Sequence, residues 1–131
     1  MEQVEFTEIK YPDMRNNLIA YTESLSDSEY QRQYWGKSNP DNPSFYDDFD
    51  ASVNFLDDML ERDSDPNAWI GLVLKNDKEA KLFEALNENI AKLFQKYGFD
   101  LTDEQYMDVK EWSEILNSAK TLHSELMLEH T

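Results

Sequence analysis

Residues 76–98 read NDKEAKLFEALNENIAKLFQKYG. This stretch decides the fold class. Leu82, Phe83, Leu86, Ile90, Leu93, Phe94 and Tyr97 recur at helical spacing and form one wide apolar face. Asn76 with Glu79 three residues later has the pattern of an N-terminal cap, and Gly98 stands where a helix-ending glycine belongs. Glu79 falls on the apolar side of this helix, and its expected role is to return a bond to the N–H of Asn76.

The same period runs through the rest of the chain. Pro12 suits a first helical position, after which Tyr11, Met14, Leu18, Tyr21 and Leu25 share a face. Ser26-Asp27-Ser28-Glu29 has the capping-box pattern and opens a short helix with Tyr30, Tyr34 and Trp35, ended by Gly36. Residues 37–44, with Pro40 and Pro43, read as loop. A third helix is expected from about Asp47 to Arg62, with Phe49, Val53, Leu56 and Leu60 in a narrow core arc. Residues 67–74 suit a strand in length, but no partner strand is evident, so a short buried helix is the expectation. Thr102 with Gln105 starts the last helical region, where Val109, Trp112, Leu116, Ala119, His123 and Leu126 lie on one side and a bend falls between Met107 and Lys110. The fold expected is an all-α bundle of five to six helices in a single domain over residues 1–131, with residues 1–10 an extended arm and 128–131 a frayed tail.

Composition bounds the function. The 131 residues carry a net charge of −16 with 13% aromatic content, so charge is abundant but a core is affordable. Residues 41–65 hold nine carboxylates against one base, Arg62. Half of the net charge therefore sits in about a fifth of the chain. A surface this negative repels nucleic acid and anionic membrane and attracts basic proteins. There is no cysteine, which removes disulfides, thiolate metal sites and thiol nucleophiles. Met1–Phe6 shows no basic or apolar leader region, and the longest apolar run, Ala68 to Leu74, is too short to span a bilayer. A cytoplasmic protein is the expectation.

No reaction chemistry is visible. His123 lies in the apolar stripe of the last helix, where a core-edge histidine bonded to a tyrosine or carboxylate is expected rather than a general base. His130 belongs to the C-terminal fringe. Asp63-Ser64-Asp65-Pro66-Asn67 begins like an EF-hand loop but offers Ala68 and Leu74 where glycine and glutamate are needed. Neither a metal, a cofactor nor catalysis is expected. On the third helix Asp50, Asn54, Asp57 and Glu61 form one line beside the core arc, and Asp58 lies nearly opposite the core. Phe55 projects well away from the core. It either covers the 37–46 loop or a neighbouring helix, or serves as an apolar anchor in an acidic binding patch. The candidate partner-binding residues are Tyr46, Asp47, Asp48, Asp50, Phe55, Asp57, Asp58 and Glu61.

The order Tyr34-Trp35, Phe49-x3-Val53-x2-Leu56-Asp57-Asp58, Trp69-Ile70-Gly71, Asn76-x2-Glu79-Ala80 and a long helix ending at Gly98 resembles a family of small, all-helical bacterial proteins. Members or look-alikes of that family occur as immunity proteins of polymorphic toxin and contact-dependent growth-inhibition systems. The resemblance runs from about Tyr30 to Gly98, with a weaker echo through Trp112, and supplies no catalytic motif. It implies an immunity protein that occludes a cognate toxin domain, of basic, nuclease type. The competing reading from the charge is an acidic nucleic-acid mimic or regulatory adaptor for basic partners.

Overall fold

The long helix expected within residues 76–98 forms over Asp77–Tyr97. The computed structural model describes residues 9–37 and 47–128. Residues 1–8 of the expected arm over 1–10, Tyr46, and residues 129–131 of the expected tail over 128–131, His130 included, lie outside the described residues. Six α-helices and one 3₁₀ turn follow in order among the described residues: α1 Pro12–Ser26, α2 Ser28–Tyr34, α3 Phe49–Arg62, the 3₁₀ turn Pro66–Trp69, α4 Asp77–Tyr97, α5 Asp103–Met107 and α6 Trp112–Met127. The all-α bundle expected from the periodicity is what forms. The bend expected between Met107 and Lys110 is the break between α5 and α6.

Local chemistry sets the ends. Asn76 Oδ1 accepts the N–H of Glu79 at 2.9 Å. Thr102 and Gln105 make the reciprocal capping box, with Thr102 N–H donating to Gln105 Oε1 at 2.9 Å. The cap of α2 is Asp27, which accepts from Tyr30 N–H, while Ser26 turns back to donate to Glu23 O. The sequence pattern had pointed one residue too early because Ser and Asp compete for the same N–H groups. At the end of α4, Gly98 adopts φ +78° and ψ −170°, a region open in practice only to glycine.

Residues 67–74 are half of what was expected. The 3₁₀ turn Pro66–Trp69 is helical, but Ile70 to Leu74 fold into a tight turn in which Gly71 (φ +91°) donates to Leu74 O at 2.8 Å. The segment also finds a partner, since Lys10 and Tyr11 N–H donate to Gly71 and Leu72 carbonyls at 3.1 and 2.8 Å.

Helix α6 packs against both α1 and α4, and α3 closes on α1. The core holds Leu18, Leu25, Phe49, Leu56, Met59, Phe83, Leu86, Leu93, Ile115 and Leu122, each fully buried. Aromatic rings thread it. Phe49 stands edge-on to Trp112 (4.9 Å between centroids) and Tyr106 (5.4 Å) and lies stacked on Trp35 (5.8 Å) and Phe94 (5.6 Å).

In two helices the buried stripe keeps part of the expected face and departs from the rest. In α1 the inward residues are Arg15, Leu18, Thr22 and Leu25, with Tyr11 exposed and Tyr21 half-buried. In α3 they are Phe49, Ser52, Leu56 and Met59, with Val53 and Leu60 only half-buried. Arg15 and Thr22 entered the core with partners, Thr22 donating to Ile19 O, whereas Ser52 Oγ has none among the described residues. Arg15 donates to both carboxylate oxygens of Glu79 (2.8 and 2.9 Å), to Val73 O (2.9 Å) and to Leu126 O (3.2 Å). Glu79, fully buried, also accepts Lys75 N–H at 2.7 Å. That bond, one residue before the cap, stands where a bond to Asn76 N–H was expected. A buried carboxylate takes the partner that neutralises it.

Candidate functional site

The acidic block of residues 41–65 is divided by the fold into two jobs. Its first described carboxylate, Asp47, accepts from Ser24 Oγ (2.9 Å), from Tyr30 OH (2.8 Å) and from Asp48 N–H (2.9 Å). Ser24 Oγ accepts in turn from the Trp35 indole at 2.8 Å, and the buried Gln31 links Ser24 O (2.9 Å) to the Trp112 indole (3.1 Å). Burial and the Asp47 carboxylate push the Tyr30 phenol well above its ordinary range, so it stays a donor. Asp48 caps α3 by accepting Ala51 N–H at 2.8 Å, and Asp103 accepts Phe49 N–H at 3.2 Å. Asp47 and Asp48, two of the predicted site residues, thus hold the entry of α3 and are half-buried. Asp103 pays electrostatically for this crowding. Its carboxyl is pushed up by burial and by the charges of Asp48, Asp50 and Asp47, against the opposing pull of the Phe49 N–H.

The second job lies further along α3. Asp50, Asn54, Asp57, Asp58 and Glu61 are exposed. Ion pairs among the described residues join Arg15 to Glu79, Arg32 to Asp108, Lys78 to Glu125, Lys81 to Asp77 and Lys96 to Glu111. None involves Asp50, Asp57, Asp58 or Glu61, so among the described residues this flank of α3 is not neutralised. Asp57 registers it. Partial burial, then the charges of Asp58 and Glu61, raise its carboxyl above the ordinary carboxylate range.

Phe55 packs on a neighbouring helix. Its ring is half-buried against Tyr21 of α1, with centroids 4.8 Å apart, on the flank of α3 away from Asp57 and Glu61. Of the two expectations for it, cover for a neighbouring helix is what the geometry shows. The apolar surface that does adjoin the carboxylate line is an open groove of about 430 Å³ between α3 and α4. Val53, Leu56 and Leu60 form one wall, Ile90, Ala91 and Phe94 the other, and Phe99 stands at one end. Phe99 is 78% exposed and stacks on Phe94 at 4.8 Å. The turn at Gly98 puts it there. Among the described residues Asp57 is the only charged one lining the groove, beside the amides of Asn87 and Gln95. Sequence reasoning missed this groove because Val53 and Leu60 read as core. An unpaired aromatic directly after a helix-ending glycine was the available signal.

A second open groove of about 510 Å³ lies between α1 and α2. Asn17 and Glu23 are among its polar lining groups, and four others, Ser24, Asp27, Tyr30 and Asp47, are bonded to one another or to a helix end.

The model of a family described as a domain of unknown function (DUF7945) matches residues 9–131. The chain belongs to this family. No curated protein and no solved structure matches it significantly. In this DUF7945 chain, no group of three or more His, Cys, Asp or Glu side chains is placed to hold a metal ion among the described residues. Asp63 and Asp65, the start of the EF-hand-like run, each cap a backbone N–H two residues on, at 3.0 Å. His123 is half-buried, and its Nδ1 lies 3.2 Å from both Thr22 Oγ1 and Ile19 O. Thr22 donates its own proton to Ile19 O at 2.9 Å, so Nδ1 carries the hydrogen and donates to both oxygens. The partner is a hydroxyl and a carbonyl, not the tyrosine or carboxylate expected. No described helix is long and apolar enough to cross a membrane.

Proposed function

We propose that this protein is an immunity protein, made and held in the cytoplasm of the producing cell, that captures a basic toxin domain through the exposed flank of α3 and neutralises it by occlusion. The observation that carries the reading is the line Asp50, Asp57, Asp58 and Glu61, exposed and without ion pairs among the described residues. Folding gains nothing from leaving like charges crowded on one helix, and the charges of Asp58 and Glu61 add to the effect of burial in raising the Asp57 carboxyl. A partner bearing Lys and Arg removes it. Nuclease-type toxins fit because their clefts are basic where they hold phosphates, and a carboxylate-rich cover competes for those cations. Steering by such a surface brings association toward about 10⁸–10⁹ M⁻¹s⁻¹ at low salt.

The test is the gene immediately upstream. A large secreted protein with a variable C-terminal domain is expected there, toxic when that domain is expressed alone and harmless when co-expressed with this chain. Toxicity unchanged by co-expression overturns the proposal. With a neutralised domain in hand, the Asp57→Lys, Asp58→Lys, Glu61→Lys variant should fold normally yet associate at least tenfold more slowly. An unchanged association rate removes the electrostatic part.

A further inference from the structure

We infer that the groove between α3 and α4 receives the apolar face of a cationic amphipathic helix of the partner protein, with its lysines and arginines set against Asp50, Asp57 and Glu61. The inference rests on the basic-partner reading above and says which structure the partner presents. Three observations carry it. First, the groove is apolar along both walls and holds about 430 Å³, room for a few aliphatic side chains at the i, i+3, i+4 spacing by which helices enter grooves. Second, its one charged lining residue among the described residues is an acid, and helical phase puts Asp50 and Glu61 on the same side of α3 as Asp57, Val53 and Leu60. The rim is therefore complementary to cations that flank an apolar stripe. Third, Phe99 keeps a large ring exposed at the end of the groove in a chain of net charge −16, stacked on Phe94 and ready to cover an inserted side chain. A second copy of this chain is the wrong occupant, because its own α3 would bring like charges to the rim.

Two synthetic peptides of equal length and lysine content test the inference. One carries leucine at i, i+3, i+4 helical spacing and the other serine in those places. The leucine peptide should bind the native protein about tenfold or more tightly than the serine peptide, and should shift the methyl resonances of Leu60 and Ile90. Phe99→Ser with Ala91→Gln, both exposed in the free protein, should abolish the difference between the peptides. Asp57→Asn with Glu61→Gln should weaken both peptides alike. Equal binding of the two peptides to the native protein overturns groove insertion and leaves electrostatic capture standing. Discrimination that survives Phe99→Ser with Ala91→Gln, or methyl shifts confined to the α1–α2 groove, also overturns it. Failure of both peptides to bind overturns the groove and the basic-partner reading together.

Discussion

Replacing Arg15 by methionine is the sharpest test of what holds this bundle together. The guanidinium is 7% exposed and reaches three elements at once: the Val73 turn, Glu79 at the start of α4 and Leu126 at the end of α6. Methionine fills the same space without charge. It leaves the fully buried Glu79 carboxylate with Lys75 N–H as its remaining bond and takes donors from two carbonyls. Breaking a buried pair on one side costs about 3–5 kcal/mol, because the surviving charge is stranded in low dielectric. Domains of this kind have about 5–15 kcal/mol of stability in all. With a urea m-value of about 2 kcal/mol/M, the midpoint should fall by roughly 2 M. Glu79→Gln should cost less, since the amide oxygen still accepts from Lys75 and Arg15, and the guanidinium keeps its two carbonyl partners. Urea titrations followed by far-ultraviolet dichroism decide it. A loss below about 1 kcal/mol for Arg15→Met, or a larger loss for Glu79→Gln, refutes the stranded-charge argument.

Other expectations follow from single sites. The Asp103 carboxyl is raised by burial and by Asp48, Asp50 and Asp47, so the folded chain holds that proton to higher pH than the unfolded chain, and stability falls as pH rises through the interval. Asp103→Asn, which keeps an acceptor for Phe49 N–H, should be more stable than native at neutral pH. The gain should vanish below about pH 4, where the carboxyl is protonated in both states, and a gain that grows on acidification contradicts the assignment. Ser52 Oγ is buried without a hydrogen-bond partner, so Ser52→Ala should raise stability by about 1 kcal/mol in thermal unfolding. A comparable loss would mean that the hydroxyl is bonded after all.

How far the sequence reaches depends on what kind of residue carries the signal. Helix α4 was legible almost completely, because its apolar face, its Asn76 cap and its terminal Gly98 all agree. Helices α1 and α3 were legible as helices, and Leu18, Leu25, Phe49 and Leu56 as core, but the rest of their buried faces was not. Apolar arcs predict burial well only where no polar residue finds a better partner. Arg15 was drawn inward by Glu79, which lies 64 positions away in the chain and is invisible to any local window. Val53 and Leu60 belong to the arc by phase, yet they line the open groove between α3 and α4 and stay half-buried. The carboxylate line on α3 could be read directly, since exposed charges at helical spacing need no tertiary information. Which carboxylates serve the fold could not, because the roles of Asp47 and Asp48 depend on Ser24, Tyr30 and Ala51.

The three tryptophans give the molecule two internal reporters in different places. All are 3% exposed. Trp35 and Trp112 touch the Phe49 ring and sense the junction of α2, α3 and α6. Trp69 donates its indole N–H to Asp63 O at 3.1 Å, in the segment that joins α3 to α4. Emission from the first pair reports whether the centre of the bundle is intact, and emission from Trp69 reports whether the α3–α4 connection holds. Single-tryptophan versions would therefore show, without any attached dye, whether the two walls of the groove come apart before the bundle melts or only together with it.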